Sequence, residues 1–391
     1  MPAAPEPFPE PVYVTRPLLP PLDEYTARLR EVWEARWLTN NGAQHQALTR
    51  ALAAMLGTPH VSLFANGTLA LLAACRTFGL EGEAITTPFT FPATTHALHW
   101  AGLTPVFADI DAATLTLDPA AVESAITPRT SAIVAVHVYG IACDVEALAA
   151  LAARHGLKLI YDAAHAFGTM HKGRPLASFG DATMLSFHAT KLFHTAEGGA
   201  LIVGDAETRA NVDLLRNFGI ANESDVVLPG INAKMSELSA ALGLSVLPHL
   251  ADERYHRARV AAIYDRELAS LPGVASVRPS PASTDSLQYY VIRVDCATAG
   301  CTRDELHARL KRFNVHTRRY FWPLCSDCQP YRALPSAAPA LLPVAHRAAS
   351  EVLCLPLYGA LTTEDALRIC AMIRHCLENP GGDDGSACRR G

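Results

Sequence analysis

No stretch of this chain approaches the roughly 18 consecutive apolar residues that a membrane-crossing helix needs, although half of its 391 residues are hydrophobic. The opening MPAAPEPFPEP also lacks the basic and apolar regions of a secretory signal. A cytoplasmic protein with no membrane partner is expected. Positive charge is not in excess either: 33 Lys and Arg stand against 38 Asp and Glu, a formal net charge of -5. Nothing in that balance suggests a nucleic-acid-binding surface, and an anionic ligand would need a local basic cluster. Clustered cysteine is scarce as well. Ten cysteines are scattered singly apart from the C-x-x-C pair Cys325 and Cys328, and a zinc site would want a second such pair. The expectation is reduced thiols and no metal.

What is present is length and rhythm. A chain of 391 residues can bury a large core and form two packed lobes. The first 22 residues are too rich in proline for regular structure and read as a tail. Helical spacing follows, with Asp23 as the cap of a helix through Tyr25, Leu29 and Val32, and a second helix through Leu48, Leu52 and Leu56. From HVSLFA through TPVFADID and SAIVAVHVYG to LKLIYDAAH, short apolar strands alternate with helical stretches such as Asp144 to His155. That rhythm is α/β, a mostly parallel sheet covered by helices, with ligands beyond the carboxyl ends of the strands. The expected domains are a large one over residues 23–250 and a smaller one over 251–378, the latter with YYVIRVD as a strand and a helix capped by Thr302. A disordered tail over 379–391 would follow.

The stretch from Tyr161 to Gly199 organises the rest. Leu157, Leu159, Ile160 and Tyr161 read as a short buried strand that delivers Asp162 at its carboxyl end, and His165 follows three residues on. A second strand, Thr183 to Ser186, breaks into a polar turn with His188, Thr190 and Lys191 before a third resumes at Gly199. A lysine among apolar strands is costly unless it is neutral or bonded. In a poorly hydrated pocket its amine loses its proton more easily and can form a Schiff base with an aldehyde cofactor such as pyridoxal phosphate. The Asp162 carboxylate would then face the pyridine nitrogen and make the ring an electron sink. Taken singly, each residue also has an ordinary reading, Asp162 as a helix cap and Lys191 as a solvated loop residue.

The segments YDAAHAFG and SFHATKLFHTAEGGALIVG resemble the aspartate and lysine motifs of the DegT/StrS sugar aminotransferases. FANGTLALLAA, TTPFTFPATTHAL, PVFADID and GINAKMSELSAALGL resemble further motifs of that family, in its order. The resemblance implies a fold-type I aminotransferase, with a large domain built on a mostly parallel seven-stranded sheet plus a smaller α/β domain. It implies pyridoxal 5'-phosphate, or its pyridoxamine form, as cofactor. Lys191, Asp162 and His165 become the catalytic set, with His165 bonding the ring hydroxyl oxygen. Gly67 and Thr68, at a strand-to-helix turn where backbone N–H groups can approach an anion, hold the cofactor phosphate together with Ser186. Phe91, rather than Phe89, stacks on the ring, and His188 flanks the lysine. Asn232 reaches the phosphate of a neighbouring subunit, so a homodimer with two shared sites is expected. Arg318, Arg319 and Tyr320 form the one local basic and aromatic cluster, suited to a nucleotide diphosphate and a sugar. Without the resemblance they read equally as a solvated edge strand.

The activity implied is transfer of an amino group from L-glutamate to a ketone on a nucleotide-linked deoxysugar. FHATKLFHT, GINAKMSE and TRRYFWPL look most like the subgroup that makes dTDP-4-amino-4,6-dideoxyglucose from the 4-keto-6-deoxy sugar, for surface polysaccharide or antibiotic glycosylation. Three rivals stand beside it. A sugar 3-aminotransferase differs only in how the hexose is turned. A sugar dehydratase of the same fold usually carries histidine where this chain has Lys191. A non-enzymatic regulator would need a DNA-binding module, which no segment resembles.

Overall fold

The computed structural model describes residues 4–379; the expected tail beyond Asn379, with Cys388, lies outside the described residues. A short strand β1 (Val12–Tyr13) precedes α1 (Leu22–Ala35) and α2 (Ala43–Leu56). The alternating part then runs β2 (Val61–Phe64), α3 (Gly67–Thr77), β3 (Glu83–Thr86), α4 (Pro92–Trp100), β4 (Thr104–Phe107), α5 (Pro119–Ala125), β5 (Thr130–Val136), α6 (Val145–His155) and β6 (Lys158–Asp162). A hairpin of β7 (Met170–His171) and β8 (Arg174–Pro175) leads to β9 (Ala182–Ser186), β10 (Gly199–Val203), α7 (Ala206–Leu215), α8 (Glu237–Val246) and α9 (Leu250–Leu268).

Seven strands form the central sheet in the order β2-β10-β9-β6-β5-β3-β4. The pairs from β9 to β4 are parallel, and β10 runs antiparallel to both of its neighbours. Helices cover both faces, so these strands are continuous apolar runs rather than alternating ones: all four residues of β2 and all five of β10 are buried. The mostly parallel α/β architecture expected from the strand and helix rhythm is therefore the one observed. A second, antiparallel sheet has the order β11-β12-β14, made of β11 (Val274–Val277), β12 (Tyr290–Val294) and, after the short β13 (Val315–His316), β14 (Val352–Leu355). It packs against α9 and the helices Arg303–Arg312 and Thr363–Glu378 through Ile292, Leu306, Leu310, Leu353, Ile369 and Ile373. Thr302 does cap the helix after it, in a reciprocal capping box with Glu305.

Two local readings need correction. The proline-rich start is not without regular structure. Phe8 and Val12 donate their backbone N–H groups to Phe313 and Asn314 at 3.0 and 2.8 Å, β1 pairs in parallel with β13, and Phe8 and Val12 join the core of the smaller lobe. The neighbouring prolines leave those particular N–H groups free to bond. Asp23 is not a cap: α1 starts at Leu22 behind Pro21 with no side-chain cap, and Asp23 lies in its first turn, where its charge suits the helix dipole. The chain from Glu237 to Leu268 forms two helices, α8 and α9, separated by a 3-10 turn at Leu247–His249 that contains Pro248.

Eight cysteines, Cys325 and Cys328 among them, are free thiols. Among the described residues no group of three or more His, Cys, Asp or Glu could hold a metal ion, and no helix is long and apolar enough to cross a membrane.

One buried carboxylate ties the helical layer together. Gly42 precedes α2 and offers no capping side chain, and the N–H groups of Gln44 and His45 instead donate to Glu237, at the start of α8, at 2.8 and 3.1 Å. Glu237 is 2% exposed. Replacing it by alanine strands two helix N–H groups away from water, so Glu237→Ala should cost about 1–3 kcal/mol. The check is a lower urea midpoint with an unchanged slope of the unfolding transition.

Candidate active site

The parallel strands end on one side of the sheet, and there the chain encloses a cavity of about 270 Å3. The turn after β2 contributes Gly67 and Thr68, the turn after β3 contributes Thr90 and Phe91, β6 ends in Asp162, and β9 ends in Ser186. Because β10 runs the other way, it contributes its entry, where Glu197 sits. The smaller lobe closes the opposite wall with Tyr289, Tyr320 and Phe321.

Asp162 is 4% exposed. Its Oδ2 accepts a hydrogen bond from Thr94 Oγ1 at 2.7 Å, and its Oδ1 accepts the Ala164 N–H at 3.0 Å. Burial nevertheless pushes its carboxyl above the usual range, against the opposing pull of these two bonds and of the Lys191 charge. Lys191 shows the mirror image. Burial lowers its amine to about 8, with the Asp162 charge opposing. At that value roughly one amine in ten is neutral at pH 7, against roughly one in 2,500 for an ordinary lysine. The side chain keeps partial exposure to the cavity while its surroundings are dense protein.

The loop that carries Lys191 is anchored rather than loose. Its N–H donates to His188 O at 2.8 Å, and Leu192 and Phe193 beside it are buried, Phe193 against Phe167 and Phe187 with ring centroids 4.7 and 4.8 Å apart. His194 is 1% exposed and donates from Nε2 to Leu18 O at 2.7 Å, so it anchors the loop to the N-terminal segment.

His165 is 6% exposed, and its Nδ1 accepts the Tyr139 N–H at 3.2 Å, which puts the ring proton on Nε2. Burial, reinforced by Lys191, holds it well below the ordinary histidine range, so it stays neutral. His165 and Asp162 both line the cavity, His165 from the turn that follows β6. The glycine-containing turn makes the cradle. A Cβ on Gly67 would lie 2.8 Å from Met184 Sδ, and one on Gly199 would lie 2.7 Å from the backbone of Asn66, so this turn sits flush against the sheet. Asn66 caps α3 by accepting the Leu69 N–H at 2.9 Å. Phe91 is 57% exposed at the cavity, whereas Phe89 is fully buried.

The structure therefore brings together Gly67, Thr68, Phe91, Asp162, His165, Ser186, His188, Lys191 and Tyr320 around one space. It does not bring in the remaining three. Asn232 is exposed outside the lining and forms a single bridge pair with Asn217. Arg318 exchanges backbone hydrogen bonds with Cys354, and the Arg319 guanidinium bonds Asp304 at 2.9 Å and lies over Trp322, 4.2 Å from the ring centre. Thr94, Tyr139 and Tyr289 were missed. For Thr94 the available signal was TTHAL, which places two threonines in the first turn of a helix starting at the strand ends.

A lysine amine with a loosened proton and a buried carboxylate, facing one cavity at the carboxyl ends of a parallel sheet, define an enzyme that works through a cofactor held by an amine. Residues 22–374 match the model of the DegT/DnrJ/EryC1/StrS aminotransferase family, and the chain belongs to that family. It is a pyridoxal-phosphate-dependent aminotransferase. The chain is 42% identical over 365 residues to the dTDP-4-amino-4,6-dideoxy-D-glucose transaminase of Shigella dysenteriae, spanning 93% of this chain and 99% of that one. The Escherichia coli enzyme of the same name is 42% identical over 366 residues, spanning 92% and 97%. The crystal structure of DesI in the presence of its TDP-sugar product matches with a TM-score of 0.92 at 40% identity, over 96% of this chain and 95% of that one. The flush Gly67 cradle, the buried Asp162 and the amine of Lys191 fit the phosphate, ring nitrogen and aldehyde of the cofactor.

The Lys191 shift has a stability consequence in the cofactor-free protein. Its folded value of about 8 lies below the unfolded one, so between about pH 8 and the ordinary lysine range near 10.4 the unfolded chain binds more protons and stability rises with pH. The urea midpoint of wild type relative to Lys191→Met should therefore climb across that window. Parallel curves for the two proteins would refute it.

Proposed function

We propose that this enzyme transfers an amino group from L-glutamate to dTDP-4-keto-6-deoxy-D-glucose, giving dTDP-4-amino-4,6-dideoxyglucose. The observation that carries the aminotransfer is the Lys191 amine, poised near neutral pH by burial, in the same cavity as the buried Asp162 carboxylate. The sugar rests on the likeness to the transaminases of that name. Pyridoxal phosphate, when bound, supplies an electron sink that stabilises negative charge at the donor carbon and carries the amino group between donor and acceptor.

The chain's own residues do the rest. Lys191 Nζ holds the cofactor and, once released by the donor, takes up and returns a proton as a neutral amine. Asp162 keeps its Oδ2 and Oδ1 fixed by Thr94 and Ala164, so the carboxylate is oriented before it meets the ring nitrogen. His165 donates from Nε2 to the ring hydroxyl oxygen, a role its neutral, Nδ1-accepting state supports. Phe91 covers a ring face, and Gly67, Thr68 and Ser186 receive the phosphate at the start of α3. His188 lies at the cavity edge, its Nδ1 paired with Thr190 Oγ1 at 2.9 Å, and bounds the space beside Lys191. Tyr320 lies on the substrate side, with Arg318 and Arg319 as the adjoining cations for the diphosphate.

A homodimer in the cytoplasm completes this reading. Asn232 lies outside its own cavity, within a patch where Phe218, Ile220, Val226, Val227 and Ile231 are 37–69% exposed. A second copy would cover that patch and receive Asn232 at its phosphate.

The purified protein should aminate dTDP-4-keto-6-deoxyglucose with glutamate as donor, at C4 by NMR of the product; amination at C3 would overturn the sugar assignment. Lys191→Ala should lose both turnover and the visible band of the bound cofactor. Asn232→Ala should remain a dimer by sedimentation while binding cofactor about tenfold more weakly, the scale of one hydrogen bond to a charged group.

A further inference from the structure

Gln288 is 2% exposed and lies outside the cavity lining. Its Oε1 accepts the Leu192 N–H at 2.8 Å, and its Nε2 donates to Thr190 O at 2.9 Å. Those two groups belong to the two peptide planes that meet at the Lys191 Cα. The amide orientation follows from the partners, since a carbonyl can only accept and an N–H can only donate. With Lys191 N–H committed to His188 O, the backbone torsions of Lys191 are held by one side chain arriving from the segment just before β12.

That segment is itself held rigid. Ser286 Oγ donates to Tyr139 O at 2.9 Å and accepts the Gln288 N–H at 3.2 Å. From α9, Arg254 donates to Asp285 O and Ser286 O at 2.9 and 3.2 Å. Arg257, 1% exposed, donates to Leu287 O at 3.1 Å, with its charge met by Glu253 at 2.6 Å. The next residue, Tyr289, already lines the cavity.

We propose that Gln288 is a positioning residue for Lys191: by clamping both flanking peptides it fixes where the amine enters the dry wall of the cavity, while touching neither cofactor nor substrate. A side-chain amide donates and accepts from one plane in this way; a carboxylate lacks the donor, and a thioether has no donor and only a weak acceptor. Without the clamp the turn from His188 to Leu192 keeps its internal hydrogen bond but can swing toward water, and the amine loses the desolvation that sets its proton affinity. The inference rests on the reading of Lys191 as the working amine.

The test titrates Lys191 directly in cofactor-free protein, by trace acetylation across pH with mass-spectrometric readout of the Lys191 peptide. Wild type, Gln288→Met, Gln288→Asn and a control, Ser62→Ala, are compared. Ser62→Ala removes a partly buried hydrogen bond of 2.7 Å to Asp213, away from the cavity. The groups facing Lys191 around the cavity, namely Asp162, His165, His188, Glu197, Tyr289 and Tyr320, are unchanged in all four proteins. The amine of wild type and control should titrate near 8, and that of both Gln288 variants should titrate about one pH unit higher. In the holoenzyme the variants should lose kcat about tenfold with the KM for glutamate nearly unchanged. Should Gln288→Met fail to fold, Gln288→Asn, one methylene too short to span both peptides, decides alone. An unshifted titration in the folded variants, or an equal shift in Ser62→Ala, would overturn the clamp. Neither result depends on turnover, so failure of the clamp stays distinct from failure of the proposed reaction.

Discussion

Desolvation of two opposite charges is the constraint on which the rest of this site depends. In a structural salt bridge each partner is held more firmly in its charged form, so the carboxylate falls and the amine rises. Here both groups move the other way: Asp162 is raised and Lys191 is lowered, each with burial as the largest cause and the other's charge as an opposing one. Mutual attraction does not compensate for the loss of water. The protein thus maintains a carboxylate and an amine that are easier to neutralise than in solution, which suits proton transfer better than it suits stability.

The sheet topology is what makes such burial feasible. Parallel strands need long crossovers, so every strand end on one side opens into a turn of a different segment. Five such ends meet at the cavity. The reversal of β10 brings Gly199 against Asn66 with no room for a Cβ, and this contact sets the phosphate turn flush against the strands. The smaller lobe then supplies aromatic walls rather than charges, with Tyr289 and Phe321 packed against His165 at ring distances of 5.1 and 5.8 Å, and Tyr139, which follows β5, stacked on Phe321 at 6.0 Å. An aromatic wall excludes water without offering the amine a counter-ion.

What could be read from the sequence was what is local. Asp162, Ser186 and Lys191 sit at or just beyond the ends of short apolar runs, and Gly67 sits at a strand-to-helix turn, so a short apolar run followed by a polar break was enough to find them. Their partners are distant in the chain. Thr94 bonds Asp162 across 68 positions, Tyr139 bonds His165 across 26, and Gln288 bonds Leu192 across 96; no spacing rule reaches so far. The basic cluster is divided by the fold. Arg318, Arg319 and Tyr320 are adjacent in sequence, but Arg318 is held by backbone bonds to Cys354 and the Arg319 guanidinium turns to Asp304 and Trp322, so that of the three Tyr320 lines the cavity. Composition misled at the start of the chain, where prolines argued against pairing although the N–H groups of Phe8 and Val12 remained available to bond.

The distribution of hydrogen bonds around the two charges explains why the site can hold them without unfolding. Asp162 has one hydroxyl and one backbone donor, fewer than a carboxylate can accept, so it stays short of full compensation. Among the described residues the Lys191 ammonium has no hydrogen-bond partner of its own, while the Lys191 N–H, the Thr190 carbonyl and the Leu192 N–H beside it are all bonded. Satisfaction is therefore concentrated in the backbone and withheld from the reacting atoms. A loop whose main chain is fixed by Gln288 and His188 can keep an under-solvated amine in place, because moving the amine toward water would break bonds that are themselves buried. In this way the cost of two poorly solvated charges is met by neighbours that take no part in the chemistry, and the reactive groups remain poised.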